Sequence, residues 1–197
     1  MNIAGVVLAG GQSSRYGQPK MFEQHKGKAF YEHSVHALRA SGVDSCYIVT
    51  NQLLADRFDR KMATVLIENQ PHNGPLYALT FAMESIPNVD WYIVLAADLP
   101  FIEKAIIDQL TDEITKSSGH AAIIPITGEK EQPLLACYHR DCLPVARKLI
   151  ANQRKSMRPL LQKVHTQYVH FPSNQKEFTN INYKSDWNHK TAQKERR

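Results

Sequence analysis

Short apolar runs rich in Val and Ile alternate along this chain with longer stretches whose apolar residues recur at helical spacing. A strand covered on both faces reads as a continuous apolar run, and joining such strands in parallel needs a crossover as long as a helix. The runs at 3–9, 46–50, 64–67, 91–96, 121–126, 134–138 and 164–171 predict strands. The stretches at 29–40, 53–60, 75–85, 102–116, 141–151 and 157–162 predict helices. Punctuation agrees at two boundaries, where Gly42 follows the first helix as a C-cap and Asn73-Gly74-Pro75 offers a cap with Pro in the first turn. No Pro/Gly/Ser-rich linker, internal repeat or low-complexity tract interrupts the pattern. The expectation is an α/β fold with a single-domain, mostly parallel, doubly wound (Rossmann-like) sheet over residues 1–189, followed by a basic, disordered tail at 190–197. Ligands of such sheets lie beyond the carboxyl ends of the strands, where the strand order reverses.

Composition removes several function classes. With 43% hydrophobic and 22% charged residues the chain can bury a core. Its longest apolar runs, at 93–97 and 121–126, are far shorter than the roughly 18 to 20 residues of a membrane span. The N-terminal run has no basic leader and is cut short by Gly10-Gly11, which predicts no cleaved signal and a cytoplasmic protein. Cys46, Cys137 and Cys142 are too few for a disulfide framework and read as free thiols. The net charge of +5 owes much to the last eight residues, which carry four basic side chains and one acidic one, so it does not point to nucleic acid. The nine histidines show no triad or paired metal spacing and read as surface or packing residues.

The loop that follows the first strand is Gly10-Gly11-Gln12-Ser13-Ser14-Arg15-Tyr16-Gly17-Gln18-Pro19-Lys20. Adjacent glycines let backbone N–H groups approach an anion and permit positive φ, and Arg15 and Lys20 add two cations. The spacing matches neither the P-loop nor G-x-G-x-x-G. A second candidate is Asp98, directly after the strand at 91–96. A carboxylate at the end of a buried strand is costly unless a cation compensates it, and a metal held with phosphate oxygens does so. Asp98 has another reading, as N-cap of the helix beginning near residue 102. Asn180 and Asn182 alternate with apolar residues and therefore share one face of an extended segment.

Leu8-Ala9-Gly10-Gly11-x-Ser13-x-Arg15-x-Gly17-x-x-Lys20 resembles the signature of the molybdenum cofactor guanylyltransferases, within the wider nucleotidyltransferase fold that includes sugar-nucleotide pyrophosphorylases. Similar segments are Gly74-Pro75-Leu76, Asp98-Leu99-Pro100, Gln132-Pro133-Leu134, Met157-Arg158-Pro159 and Phe178-Thr179-Asn180-Ile181-Asn182, so the resemblance spans about residues 3–187. It implies a nucleotidyltransferase-type sheet and Mg²⁺-dependent transfer of GMP from GTP to the terminal phosphate of molybdenum-molybdopterin, with pyrophosphate leaving. By the same resemblance Leu8, Ala9, Gly10, Gly11, Lys20, Asn51, Glu68 and Asp98 bind GTP, and Asp98 holds the metal. Arg15, Lys20 and Asp98 carry catalysis, while Gly74, Asn180 and Asn182 face the acceptor. Asn51 also reads as a turn residue. The implied partners are GTP, molybdenum-molybdopterin, and molybdoenzymes or their chaperones, without nucleic acid or membrane.

Three positions depart from the family pattern. Glu68 stands where the family carries the Asp that reads guanine, Ala78 replaces the glycine of Gly-Pro-Leu-x-Gly, and Tyr16 replaces a methionine and reads as loop packing. Two alternatives therefore accompany the guanylyl reading: a cytidylyl- or sugar-nucleotidyltransferase, and a non-catalytic protein that binds and delivers the cofactor.

Overall fold

The computed structural model describes residues 1–11, 16–70 and 72–181 of the chain. In chain order its strands are β1 (Ile3–Leu8), β2 (Gln24–His25), β3 (Lys28–Ala29), β4 (Cys46–Thr50), β5 (Thr64–Ile67), β6 (Trp91–Ala96), β7 (Ala122–Thr127), β8 (Lys130–Glu131), β9 (Leu135–His139) and β10 (Thr166–Phe171). The α-helices are α1 (Phe30–Ala40), α2 (Pro75–Ser85), α3 (Lys104–Lys116), α4 (Cys142–Ala151) and α5 (Arg158–Leu161). The main sheet has the order β10-β7-β9-β6-β1-β4-β5, with β8 added beside β7. Strands β6, β1, β4 and β5 are mutually parallel, as are β7 and β10, whereas β9 runs antiparallel to both β6 and β7. This is the expected mostly parallel α/β sheet.

Two apolar layers sandwich the sheet. On one face Val7, Ile48, Ile93 and Leu95 pack with Val35 and Leu38 of α1 and Ile107 and Leu110 of α3. On the other, Ala4, Val6, Val94 and Ala136 pack with Leu76 and Leu79 of α2, Ala146 of α4 and Leu160 of α5. Burial on both faces is why the central strands carry uninterrupted apolar sequence; β6 is buried at every one of its 6 residues. From β1 the chain runs outward to β4 and β5, then returns to β6 on the opposite flank of β1. The reversal of strand order falls between β1 and β6, whose ends lie side by side with Leu8 opposite Ala96.

One expected helix does not form. Residues 53–60 contain a single 3₁₀ turn, Ala55–Arg57. The Asn51 side-chain oxygen accepts the Leu53 N–H at 3.0 Å, and the Asn51 carbonyl takes those of Leu54 and Ala55, so the chain turns tightly on leaving β4. Phe58 is then drawn into extended backbone to bury its ring against Phe22 and Tyr31, and the Asp59 N–H donates to the Tyr31 hydroxyl at 3.3 Å. Tertiary packing overrides the local helical period. The short helix expected around 184–187 and the basic tail at 190–197 lie outside the described residues.

Leu110 is wholly buried on α3, whereas Leu53 is 87% exposed. Leu110→Ala is expected to cost about 2 to 5 kcal/mol in equilibrium urea unfolding. Leu53→Ala should stay within about 0.5 kcal/mol of the parent.

Candidate functional site

A cavity of about 560 Å³ opens at the carboxyl ends of β1 and β6, bounded by the loops that follow β1, β5 and β6 and by the start of α2. Its floor is an extension of the sheet. The Ala9 N–H donates to the Val49 carbonyl at 2.8 Å, the Thr50 hydroxyl to the Ala9 carbonyl at 3.1 Å, and the Ala97 N–H to the Leu8 carbonyl at 3.1 Å. The loops leave the sheet only beyond these bonds.

The two glycines at the end of β1 serve different purposes, and neither adopts the left-handed backbone that the sequence allowed for. A Cβ on Gly10 would lie 2.5 Å from Oε1 of Glu68, so Gly10 exists to let that carboxyl pack on the main chain. At Gly11 a Cβ would meet nothing within 4 Å among the described residues, and the position lines the cavity. Its bare backbone is available to a ligand. Residues 12–15, and with them Arg15, lie outside the described residues.

The chain re-enters at Tyr16 and forms a 3₁₀ turn, Lys20–Phe22, closed by the Glu23 N–H on the Lys20 carbonyl at 3.0 Å. From this turn the Lys20 ammonium reaches one oxygen of Asp98 at 2.5 Å, with side-chain exposures of 17% and 14%. The other oxygen, Oδ1, is buried and has no hydrogen-bond partner among the described residues. The N-cap reading of Asp98 falls, because α3 starts at Lys104 with Glu103 in the cap position. Orphaned buried oxygens are uncommon and mark a missing partner.

Glu68 follows β5 directly, anchored by its N–H on the Thr50 carbonyl at 2.8 Å. Burial pushes its carboxyl up to about 7. Across the cavity, Gly74 caps α2 at φ 88°, and a Cβ there would strike the Lys155 carbonyl at 2.7 Å. That carbonyl also accepts the Leu76 N–H at 3.2 Å, so the segment between α4 and α5 is stitched to the cavity's rim. Asn180 completes the wall, and its neighbour Ile181 is buried with Tyr16 and Phe30 in a small cluster against Phe101.

The structure thus brings Leu8, Ala9, Gly10, Gly11, Lys20, Glu68, Gly74, Asp98 and Asn180 around one cavity. Asn51 is not in the lining; it is buried, and its side chain organises the turn after β4. Asn182 lies outside the described residues. Sequence reasoning gave no site role to several lining residues, among them Met21, Ala97 and Leu134, and Tyr16 and His72 were read differently. Tyr16 is packing, as expected, but also forms part of the wall, and His72, read as surface or packing, lines the cavity from a left-handed backbone at φ 68°. No periodicity or spacing signals His72; only its place four residues past the strand-end Glu68 brings it there.

Residues 5–169 match the family model of the MobA-like NTP transferase domain. The chain belongs to the MobA-like NTP transferases. A protein named "probable molybdenum cofactor guanylyltransferase" in Halalkalibacterium halodurans is 35% identical to this transferase over 188 residues, 92% of this chain and 94% of its own. The molybdopterin-guanine dinucleotide biosynthesis protein A of Archaeoglobus fulgidus superposes with a TM-score of 0.76 at 21% identity, covering 97% of this chain and 99% of its own. A CMP:2-keto-3-deoxy-manno-octonic acid synthetase complexed with CTP gives 0.77 at 13% identity, with 98% of each chain covered, a likeness of fold alone. The transferase is therefore an enzyme of nucleotidyl transfer in molybdenum-cofactor biosynthesis, and the delivery-protein alternative falls away. None of its described helices is long and apolar enough to cross a membrane.

Glu68 carries a pH signature. Its folded value of about 7 lies above the ordinary 4.5, so the folded state keeps a proton that the unfolded state has already released. Stability contributed by the neutral carboxyl is present below about pH 4.5 and is lost as pH rises through about 7. Urea unfolding from about pH 5 to pH 8 should show wild type losing roughly 1 to 3 kcal/mol relative to Glu68→Gln. Parallel profiles for the two proteins would remove the buried-acid assignment.

Proposed function

We propose that this transferase moves GMP from GTP onto the terminal phosphate of molybdenum-molybdopterin, releasing pyrophosphate and forming the guanine dinucleotide form of the cofactor. The observation that carries the reading is the cavity at the ends of β1 and β6. It holds a cation, a carboxylate whose buried second oxygen has no partner among the described residues, and the backbone of Gly11. Nucleotidyl transfer asks for little covalent chemistry from the protein; positioning and charge neutralisation supply most of the rate.

Magnesium fits these residues. Mg²⁺ takes hard oxygen ligands and is commonly held by one or two carboxylates together with substrate phosphates and waters. Asp98 offers such an oxygen in Oδ1. When bound, the ion draws negative charge from the phosphate oxygens. Lys20 and Arg15 neutralise the triphosphate and the departing pyrophosphate, and Gly10 and Gly11 bring main-chain N–H groups close to it. Gly74 and Asn180, on other walls of the cavity, face the acceptor, and the family resemblance gives Asn182 to the acceptor side as well. Since GTP is consumed, we assign the reaction to the cytoplasm, with molybdoenzymes or their chaperones receiving the product.

Ionised, Glu68 accepts from the N1–H and the exocyclic amine of guanine together. A carboxyl poised near pH 7 also has a neutral form, with one donor and one acceptor, which complements N3 and the amine of cytosine. Cytidylyl transfer is the second reading on that ground, and the fold likeness to a CTP-bound synthetase is compatible with it.

Pyrophosphate release with molybdenum-loaded molybdopterin tests both, using GTP, CTP, ATP and UTP in parallel at about pH 6 and pH 8. The expected result is release with GTP alone, faster at the higher pH as Glu68 ionises. Release with CTP alone would transfer the protein to the second reading, and silence with all four would end both. Asp98→Ala and Lys20→Ala should each lose on the order of 10²- to 10³-fold in rate while keeping a native circular dichroism spectrum.

A further inference from the structure

Lys20 stands where a metal would have to come. Its ammonium lies 2.5 Å from Oδ2 of Asp98, while Oδ1 is buried without a partner among the described residues. Both groups are held by their main chains: the carbonyl of Lys20 closes its 3₁₀ turn, and the carbonyl of Asp98 accepts the Ile181 N–H at 3.4 Å. A divalent ion on Asp98 would share the carboxylate with a positive charge in a site largely withdrawn from water, where like charges repel far more strongly than in bulk solvent. A lysine side chain is flexible and can be drawn away by a stronger anion. The phosphates of an arriving nucleotide are such an anion.

Resting on the proposed metal role of Asp98, we infer that Lys20 is a charge gate. It neutralises Asp98 while the cavity lacks nucleotide and keeps a bare divalent cation out. It then moves to the triphosphate and releases the carboxylate, so that metal and nucleotide enter together. Lys20 therefore acts before the reaction as well as during it. Because coupling free energies are reciprocal, the nucleotide must raise metal affinity by the same factor as the metal raises nucleotide affinity.

The test is Mn²⁺ binding to the whole protein, followed by loss of the free Mn²⁺ electron paramagnetic resonance signal, with and without an α,β-methylene analogue of GTP. Wild type should bind Mn²⁺ weakly alone and much more tightly with the analogue. Lys20→Gln should bind Mn²⁺ alone at least about tenfold more tightly than wild type, and the enhancement by the analogue should shrink accordingly. Lys20→Arg keeps the charge and should remain within about threefold of wild type. Equal tightening in Lys20→Arg would trace the effect to a disturbed loop and overturn the gate. Asp98→Asn separates the two levels. If it weakens Mn²⁺ binding in the presence of the analogue but Lys20→Gln alone gains nothing, the gate is wrong and the metal role of Asp98 survives. If Asp98→Asn changes nothing, the metal role fails and the gate fails with it.

Discussion

Strands β1 and β6 lie side by side in parallel, in register from Ile3 opposite Trp91 to Leu8 opposite Ala96. The chain leaves β1 toward one flank and returns to β6 on the other, so the loops at their carboxyl ends diverge and leave a crevice that no helix fills. The ion pair of the site depends on that divergence. Lys20 comes from the loop after β1 and Asp98 from the end of β6, and two segments far apart in sequence meet because the strands beneath them are neighbours. The desolvation imposed by the walls makes the pairing matter: the same two charges on an open surface would contribute little.

The sheet was legible from sequence because its central strands are buried on both faces and therefore read as unbroken Val- and Ile-rich runs. Three of the strands and α2 were read with their boundaries intact, the helix because Gly74-Pro75 marks its start by chemistry rather than by average preference. The segment 53–60 misled because its apolar spacing is genuinely helical; what overrides it is the burial of Phe58 against rings that sequence order keeps distant. The same limit applied at the site. Residue types at strand ends pointed to Lys20 and Asp98, but their ion pair is a tertiary fact. The division of labour between Gly10 and Gly11 depends on a carboxyl 57 residues or more away in the chain, and His72 follows no pattern at all.

Glu68 shows why likeness of fold does not choose a base. The molybdopterin-guanine dinucleotide biosynthesis protein and the synthetase complexed with CTP superpose on this chain about equally well, since the sheet supplies only the crevice. On the proposed reading, base choice rests on the hydrogen-bonding form of Glu68, and that form is set by how deeply the carboxyl is buried against Gly10. An aspartate at this position would be one methylene shorter and would not reach as far over the glycine. Guanine, with two donors to offer, can itself supply the interaction that holds the ionised form.

The cluster of Tyr16, Phe30 and Ile181 bears on the order in which the molecule is assembled. A chain emerging from its N-terminus has every described strand of the main sheet in hand once Phe171 is made, but one of the two apolar layers still lacks Phe178, whose ring packs on Phe171. Asn180 is not yet present, and the loop after β1 still lacks Ile181, the side chain that wedges Tyr16 and Phe30 together. The last side chain of that layer and the last wall of the cavity therefore arrive on one short stretch, 178–181, so closing the core and completing the crevice are tied to the same few residues.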